Sequence, residues 1–401
     1  MALRKTIPIL SAAAATRGAA PLLAELPPLG LYVHFPWCVA KCPYCDFNSH
    51  ALRGDMPEAD YIDALVADLE SALPLIWGRR VTSIFFGGGT PSLMSAESFE
   101  RLLAALRARL TIVPDAEITI EANPGTVDAA RFAGYRAAGA NRLSLGVQSF
   151  DDAMLARIGR IHDGAGARAA ADIALARFDA VNFDLMYGLP QQTLEEALSD
   201  VHIALQYAPP HLSCYHLTLE PNTPFAERPP ALPDPDLCAD MQEAIEARLV
   251  AAGYTNYETS AFARPGRQCR HNLNYWNFGD YLGIGAGAHG KLSFPDRILR
   301  QVRPRHPRAY FAAAANGNFV AEERQLTAQD LPFEFMMNAL RLSAGVALAQ
   351  FTARTGLPPA AIDTALAQAR AAGLLEADPA VLRPTLRGRR YLNELLQMFL
   401  P

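Results

Sequence analysis

The sequence predicts an α/β protein, a partial (β/α)6 barrel followed by a smaller α-rich, winged-helix-like domain. Between residues 30 and 224, six short apolar runs alternate with stretches of helical periodicity, a pattern typical of parallel βαβ units. Glycine, proline and polar residues directly follow these runs. Because ligands bind at the carboxyl edge of parallel strands, we expect the chemistry on one rim. A doubly wound sheet is the alternative arrangement of such units.

Each predicted strand is a short run of β-forming apolar residues. The strands are expected at residues 31–35, 83–86, 118–121, 142–147, 182–187 and 212–219. The segments between them carry helical signals: apolar residues fall on one face after Pro57, and Thr193 with Glu196 forms a capping box. A longer helix is expected at residues 236–252, and an amphipathic one at 391–400.

The chain divides into four expected segments. Pro8 and Arg17 interrupt an N-terminal stretch that only weakly imitates a secretion signal. A proline-rich stretch at 228–235 ends the alternating pattern, and Thr327 is predicted to cap a helix. The segments are a flexible N-terminal extension (1–25), the barrel (26–225), a connecting subdomain (226–326) and a helical or winged-helix-like domain (327–401).

The composition indicates a folded, acidic protein. Of 401 residues, 50% are hydrophobic and 19% charged, and the net charge is −5. This balance offers no field for nucleic acid or an anionic membrane surface. The longest uncharged stretch, 201–219, contains paired prolines and histidines, which argues against a membrane span. We therefore expect a cytoplasmic protein, and the arginines near the C-terminus are interpreted as a solvated helix end rather than a nucleic-acid site.

Three of the six cysteines are crowded into one short segment. Cys38, Cys42 and Cys45 have the spacing CxxxCxxC directly after the first predicted strand, and the others are scattered. Clustered thiols in a Cys-poor chain indicate a metal or iron–sulfur site in a reducing compartment, not a disulfide framework. Three thiolates leave one iron of a four-iron cluster open to an external ligand. A zinc site is the alternative, but closed zinc sites take four ligands.

This motif, on the loop after the first strand of a six-unit (β/α) chain, resembles the radical S-adenosylmethionine (SAM) superfamily. The resemblance implies a [4Fe-4S] cluster on the three cysteines, SAM on its open iron, and reductive cleavage of SAM to a 5′-deoxyadenosyl radical. The residues that it implies for SAM binding are Tyr32, Gly88, Gly89, Thr90, Glu121, Gln148, Arg160 and Asp184. The glycines independently offer bare backbone to amine and carboxylate groups. From the residues alone, each polar member could instead cap a helix or form an ion pair.

Further motifs narrow the resemblance to the heme-chaperone branch of the oxygen-independent coproporphyrinogen oxidase family, from residue 26 to the C-terminus. They are PWC at 36–38, CPYCDFNSH at 42–50, FGGGTPS at 86–92, EANPG at 121–125, GVQSF at 146–150, GRIH at 159–162 and HNLNYW at 271–276. Catalytic oxidases of this family carry CxxxCxxCxC, and here Phe47 stands at the position of the last cysteine. This departure puts decarboxylase activity in doubt and leaves cluster and SAM binding untouched.

The motif HNxxYW, with His271, Asn272, Tyr275 and Trp276, is the second distinguishing element. A neutral imidazole can ligate heme iron, and the two aromatic side chains offer flat apolar faces for a porphyrin. On the residues alone, a hydrogen-bonded histidine beside core aromatics is the better interpretation. The resemblance reverses that preference and implies heme binding. His289 and Cys269 are alternative axial ligands.

The resemblance thus implies a heme chaperone that binds a [4Fe-4S] cluster, SAM and heme and passes heme to an apo-hemoprotein. An acceptor of a respiratory chain and a homodimer are further expectations. The alternative is an oxygen-independent coproporphyrinogen III oxidase, which would convert propionates to vinyl groups. A third interpretation is a radical SAM enzyme for an unrelated substrate, in which HNxxYW is merely structural. Phe47 and HNxxYW favour the heme chaperone.

Overall fold

A computed structural model describes residues 23–401, so residues 1–22, most of the predicted N-terminal extension, lie outside the described part. Its main feature is a sheet of twelve strands. The strands within residues 23–401 are β1 (Leu29–Phe35), β2 (Trp37–Cys38), β3 (His50–Ala51), β4 (Arg80–Gly88), β5 (Thr111–Ala122), β6 (Arg142–Gln148), β7 (Ala180–Tyr187), β8 (His211–His216), β9 (Thr255–Glu258), β10 (Ala261–Ala263), β11 (Asp280–Ile284), β12 (His289–Ser293), β13 (Ile298–Val302), β14 (Glu322–Gln325), β15 (Val346–Ala347) and β16 (Val381–Leu382).

Helices connect most of these strands. In the same part of the chain they are α1 (Glu58–Ala72), α2 (Ala96–Arg109), α3 (Ala129–Ala138), α4 (Asp152–Arg157), α5 (Gly164–Arg177), α6 (Leu194–Tyr207), α7 (Pro224–Glu227), α8 (Pro235–Ala251), α9 (Arg270–Trp276), α10 (Pro307–Asn316), α11 (Asp330–Ala339), α12 (Leu348–Thr355), α13 (Asp363–Ala371), α14 (Leu386–Arg390) and α15 (Leu392–Gln397). The capping box predicted at Thr193 and Glu196 is confirmed at the start of α6.

The middle of the sheet consists of the six predicted strands. β1, β4, β5, β6, β7 and β8 lie in that order, and each pairs in parallel with its neighbour. The predicted parallel (β/α) architecture is therefore confirmed. The last strand ends at His216 rather than at residue 219, because its partner β7 ends at Tyr187, where Gly188 with a φ of 69° turns the chain.

The two faces of the sheet differ in polarity because successive side chains of a strand point to opposite sides. Leu31 and Val33 of β1 are buried in the main apolar cluster, whereas Tyr32 and His34 line a cavity. Other buried polar residues of the parallel strands include Ser83, Glu117, Arg142, Ser144, Asn182 and Ser213. The polar side chains that bear on the site thus come from alternate positions of the strands.

Residues 226–326, predicted as a connecting subdomain, contribute strands to both edges of this sheet. β10 pairs antiparallel with β8 and with β9. At the other edge β11 pairs in parallel with β1, and β12, β13 and β14 continue antiparallel. Gly285 and Gly287, with φ of 103° and 79°, form the turn between β11 and β12, in a conformation that favours glycine. The glycine-rich run 279–290 therefore covers β11, the turn and the start of β12.

The C-terminal domain is small and helical, as predicted. Helices α11 to α15 and the antiparallel pair β15–β16 surround an apolar cluster that includes Phe335, Phe351 and Leu366. The amphipathic helix predicted at 391–400 is present but shorter, since α15 spans Leu392–Gln397, and the separate short helix α14 ends just before it at Arg390. Leu23, in the described end of the predicted extension, also packs in this cluster. None of the helices in residues 23–401 is long and apolar enough to cross a membrane.

Candidate functional site

The three clustered cysteines lie on a loop that leaves the carboxyl end of β1. Cys38 is in β2, which pairs with β3, and the Cys45 amide donates to the Cys42 carbonyl at 3.2 Å. All three thiols are half-buried and free. Burial raises the pKa of Cys38 and of Cys45, so in the absence of metal these thiols hold their protons. Binding of a metal cluster would therefore release protons.

Two polar side chains contact this loop. Arg160 Nη1 lies 3.6 Å from Cys42 Sγ, and its Nη2 donates to the Gly146 carbonyl at 2.8 Å. Ser49 Oγ lies 3.8 Å from Cys45 Sγ. Metal is bound by the thiolate form of cysteine. Three soft thiolate donors on one exposed loop fit a [4Fe-4S] cluster. Within residues 23–401, no three His, Cys, Asp or Glu side chains lie close enough together to hold one mononuclear metal ion.

The glycine run after β4 packs its backbone directly against the start of this loop. The Gly89 amide donates to the Phe35 carbonyl at 2.6 Å, and the Thr90 amide donates to the Trp37 carbonyl at 2.7 Å. A Cβ at Gly89 would lie 2.4 Å from the Trp37 carbonyl oxygen, and Gly88 has a φ of 116°. Both positions therefore require glycine, and they keep the cysteine loop in close contact with the sheet.

Glu121, at the carboxyl end of β5, accepts the Gly88 amide at 3.1 Å. Burial, with the charge of Asp184 in addition, raises the pKa of Glu121 to about 8. Asp184 lies further inside, where Ser144 Oγ and Asn182 Nδ2 donate to it at 3.1 and 2.8 Å, and burial raises its pKa as well. At neutral pH Glu121 is therefore mostly protonated until a cationic or hydrogen-bonding ligand reaches it.

A hydrogen-bonded chain that the sequence did not reveal links β1 to the cysteine loop. Tyr32 OH lies 3.0 Å from His34 Nδ1, and His34 Nε2 lies 2.8 Å from the Asn48 carbonyl oxygen. The carbonyl can only accept, so Nε2 carries the proton and Nδ1 accepts from the tyrosine. Burial lowers the pKa of His34 to about 4, which keeps the ring neutral. The only sequence signal was the alternation of Tyr32 and His34 along β1.

These residues meet at a cavity of about 330 Å3. Tyr32, Gly88 and Glu121 line one side of it. On the other side of β1 in the sheet, β11 and β12 contribute Tyr281 and His289, and Tyr275 of α9, Gly287 and Arg305 also line the cavity. Phe47 and Asn48 of the cysteine loop complete the lining. The structure thus brings predicted SAM residues together with part of the HNxxYW motif.

The remaining predicted SAM residues lie outside this cavity. Arg160 lines a second cavity of about 440 Å3, together with Pro124 and Gly125. Gln148 ends β6 after a register irregularity and has a φ of 67°. Asp184 is in the polar interior. Since Arg160 also contacts Cys42, it joins the second cavity to the cysteine loop.

His271 does not present a free nitrogen to either cavity. It is 1% exposed, its Nδ1 lies 2.8 Å from Ser83 Oγ, and its Nε2 lies 3.3 Å from Tyr275 OH. Its ring stacks on Phe85, and its backbone amide donates to Glu117 at 2.9 Å. In this arrangement His271 holds α9 against the sheet, and iron coordination would require the hydrogen bond at the ligating ring nitrogen to break.

The motif is divided between two environments. Tyr275 lines the cavity, whereas Trp276 packs against the C-terminal apolar cluster with the Arg341 guanidinium 4.4 Å from its ring centre. The backbone amide of Asn272 donates to Cys269 Sγ at 3.5 Å. Cys269 is fully buried, and its thiol donates to the Glu117 carboxylate. Only Tyr275 of the four motif residues is therefore positioned to touch a ligand in this cavity.

The buried neutral state of His271 predicts a pH dependence of stability. Burial lowers the pKa of His271 to about 3, so below about pH 6.5 the unfolded chain binds a proton that the folded chain does not. Stability is therefore lost as the pH falls from about 6.5 towards 3. Between pH 7 and pH 5 this residue should account for a loss of about 2 kcal/mol, measured by urea unfolding without added iron.

The His271→Gln variant should lack this part of the loss. As a control, His202→Gln changes an exposed histidine on α6 and should leave the pH dependence of wild type unchanged. Equal slopes for wild type and His271→Gln would show that the imidazole is not held neutral in the folded protein.

Comparison with known proteins agrees with this geometry. Residues 32–203 match the model of the radical SAM superfamily, and residues 326–391 match the HemN C-terminal domain. The solved structure of coproporphyrinogen III oxidase (HemN) from Escherichia coli, a radical SAM enzyme, superposes with a TM-score of 0.79 at 26% identity, covering 93% of this chain and 90% of that one. The fold and site thus define a radical SAM protein with a HemN-type C-terminal domain.

Two curated relatives narrow the class. The heme chaperone HemW of Escherichia coli strain K12 is 52% identical over 380 residues, which is 94% of this chain and 100% of that protein. The heme chaperone HemW of Haemophilus influenzae is 49% identical over 384 residues, 94% of this chain and 99% of that protein. The chain belongs to the HemW family.

Proposed function

We propose that this protein is a cytoplasmic heme chaperone that binds a [4Fe-4S] cluster and SAM, accepts heme, and delivers it to an apo-hemoprotein. The observation that carries the proposal is the match along nearly the whole chain to relatives named heme chaperones. Phe47, which takes the position where the resemblance places an additional cysteine in catalytic oxidases, supports a chaperone rather than a decarboxylase.

Cys38, Cys42 and Cys45 would hold the cluster, which supplies one-electron chemistry when bound. Arg160, which contacts both Cys42 Sγ and the Gly146 carbonyl, would keep the loop against β6. Gly88 and Gly89 would let SAM approach the end of β4 without a side chain in the way, while the amides of Gly88, Gly89 and Thr90 already donate to Glu121, Phe35 and Trp37. These roles rest on the contacts of the loop and on the requirement for glycine at two positions.

The polar residues around the cavity would orient SAM and keep water out. The protonated Glu121 carboxyl can donate a hydrogen bond to a ligand group beside Gly88, and the ionised carboxylate can accept one. The chain from Tyr32 through His34 to Asn48 fixes one tautomer of the histidine, so Tyr32 is held in one orientation at the cavity wall. Gln148 ends β6, and Asp184 lies in the polar interior. Both are outside the cavity, and the resemblance to SAM-binding proteins is what supports their assignment to SAM.

An anaerobic assay separates the chaperone from the oxidase. The full chain, reconstituted with cluster, SAM and reductant, is expected to bind heme stoichiometrically, seen as a shifted Soret band. Coproporphyrinogen III offered under the same conditions is expected to yield no vinyl porphyrin. Formation of protoporphyrinogen at catalytic turnover would overturn the proposal and would show that the cysteine missing at position 47 is dispensable.

A further inference from the structure

The wall of the cavity carries two side chains that the rest of the protein does not engage. His289 begins β12 and is exposed, and neither of its ring nitrogens has a hydrogen-bond partner within residues 23–401. Arg305 is also exposed, and its guanidinium forms no ion pair in that part of the chain. His34 and His271, in contrast, have both ring nitrogens in hydrogen bonds.

We propose that His289 is the axial ligand of the heme iron and that Arg305 binds a heme propionate. Tyr275, Tyr281 and Phe47 would contact the macrocycle. This inference rests on the proposed heme-chaperone function and names the residues that touch heme within it. It places the ligand on β12 rather than in the HNxxYW motif, whose histidine is enclosed.

The backbone around His289 and Arg305 is held in place by the cysteine loop. Asn48 Nδ2 donates to the Ala286 carbonyl at 2.9 Å and to the Arg305 carbonyl at 2.8 Å. Gly287 is required here, because a Cβ at this position would lie 2.2 Å from Asn48 Nδ2. Asn48 lies three residues after Cys45. Ordering of the loop by the cluster would therefore also order the two proposed heme-binding residues.

The remaining wall suits a flat, anionic, largely apolar ligand. Tyr275 and Tyr281 meet edge to face with ring centres 4.4 Å apart, and Arg300 Nη1 donates to Tyr281 OH at 2.6 Å. Phe47 is 62% exposed at the mouth of the cavity, which is unusual for a phenylalanine without a partner surface. The buried part of the His289 ring and the charges of Arg305 and Arg300 lower the pKa of this otherwise exposed imidazole.

The size of the cavity limits how much of a heme it can enclose. Its volume of about 330 Å3 is near the low end of small-molecule pockets, which span about 300–1,000 Å3. A tetrapyrrole would therefore be only partly enclosed, with one edge against the two tyrosines and the rest beside the exposed Phe47. Since Tyr32, Gly88 and Glu121 of the same cavity are assigned to SAM, the heme would occupy only the part lined by His289, Arg305 and the tyrosines.

Ferric heme titrations of the reconstituted full chain test this assignment. His289→Ala is expected to weaken heme binding at least about tenfold and to change the position of the Soret band. Added imidazole should restore the wild-type spectrum, because it can replace the missing ligand. Iron-free protoporphyrin IX should bind wild type and His289→Ala equally, which also shows that the variant is folded. His202→Ala, an exposed histidine far along the chain on α6, should behave as wild type.

Arg305→Ala is tested with the same ligands. It should weaken heme and iron-free porphyrin alike, by about tenfold, because a charge-assisted hydrogen bond to a carboxylate is lost. Heme dimethyl ester lacks free carboxylates, so wild type should bind it more weakly than it binds heme. The Arg305→Ala variant should bind the ester and heme with equal affinity.

The outcomes separate the inference from the proposed function. If wild type binds no heme, the chaperone proposal itself fails. If wild type binds heme and His289→Ala binds it with equal affinity and an unchanged spectrum, the ligand is elsewhere and the inference is overturned while the chaperone proposal stands. Loss of the heme spectrum in His271→Ala but not in His289→Ala would likewise overturn it.

Discussion

Replacing Cys42 by serine is expected to remove nearly all iron and sulfide from the reconstituted protein, to less than about a tenth of the wild-type content, because a hydroxyl is a poor ligand for soft iron. The loop offers three thiols and no spare. The charge-transfer absorption of the cluster should disappear, and SAM binding should be lost with it. Arg160, which contacts Cys42 Sγ, would then face an uncharged group. Metal and sulfide analysis together with the visible spectrum measures the effect.

Cys238→Ser provides the matched control. Cys238 is buried on α8, and its thiol donates only weakly to the Pro233 carbonyl at 3.9 Å. This variant should keep the full iron and sulfide content. Retention of a complete cluster in Cys42→Ser would contradict the assignment of the three cysteines, whereas loss in both variants would indicate a general folding defect.

The parallel half of the fold could be predicted because its signals are local. Each strand from β1 to β8 is a short apolar run followed by a turn, and the helices between them carry their apolar residues on one face. The cysteine loop was also accessible, since CxxxCxxC lies within eight residues. Patterns of this kind depend only on neighbours in sequence.

The extended edge of the sheet could not be predicted in the same way. The glycines at 279–290 conceal β11, a short strand whose partner β1 begins about 250 residues earlier, at Leu29. Gly285 and Gly287 are there for the turn and for the close approach of Asn48, neither of which leaves a periodic signal. Pairing between distant strands is a tertiary property, which a local pattern does not specify.

The environment of His271 was equally inaccessible. Its hydrogen-bond partners Ser83 and Glu117 are 188 and 154 residues away in the sequence. A histidine beside two aromatic residues could either bind iron or anchor a helix, and the structure favours the anchor. His289 carries no motif of its own beyond its place after the glycine run, so only the fold shows that it faces the same cavity as Tyr32.

The junction between β11 and the rest of the sheet gives the second large effect. Asp280 is completely buried and forms ion pairs with Lys291 Nζ at 3.0 Å and with Arg79 Nη1 at 2.8 Å. Ser293 donates its amide and its hydroxyl to the same carboxylate, at 2.8 and 2.7 Å. Burial would raise the pKa of Asp280, but the charges of Lys291 and Arg79 outweigh it and hold the pKa below its usual value.

Asp280→Ala is therefore expected to lower the free energy of unfolding by about 3–5 kcal/mol, because it leaves the buried Lys291 ammonium without its counterion. Urea unfolding of the full chain measures the effect. Asp296→Ala removes an exposed carboxylate paired with Arg297 and should cost less than about 1 kcal/mol. Asp280→Leu combined with Lys291→Met should recover part of the loss, since it removes Asp280 and Lys291 together and leaves only Arg79 of the three charges without its partner.

If Asp280→Ala costs no more than Asp296→Ala, the buried pair is not what stabilises this edge. The substitution should also displace the cavity wall. Asp280 is followed by Tyr281 and begins the strand that leads through the Gly285 turn to His289. Heme affinity should therefore fall in Asp280→Ala and return in the double variant, in proportion to stability. Heme affinity that stayed low in the double variant despite recovered stability would mean that the charges of this junction, and not only its packing, position the cavity wall.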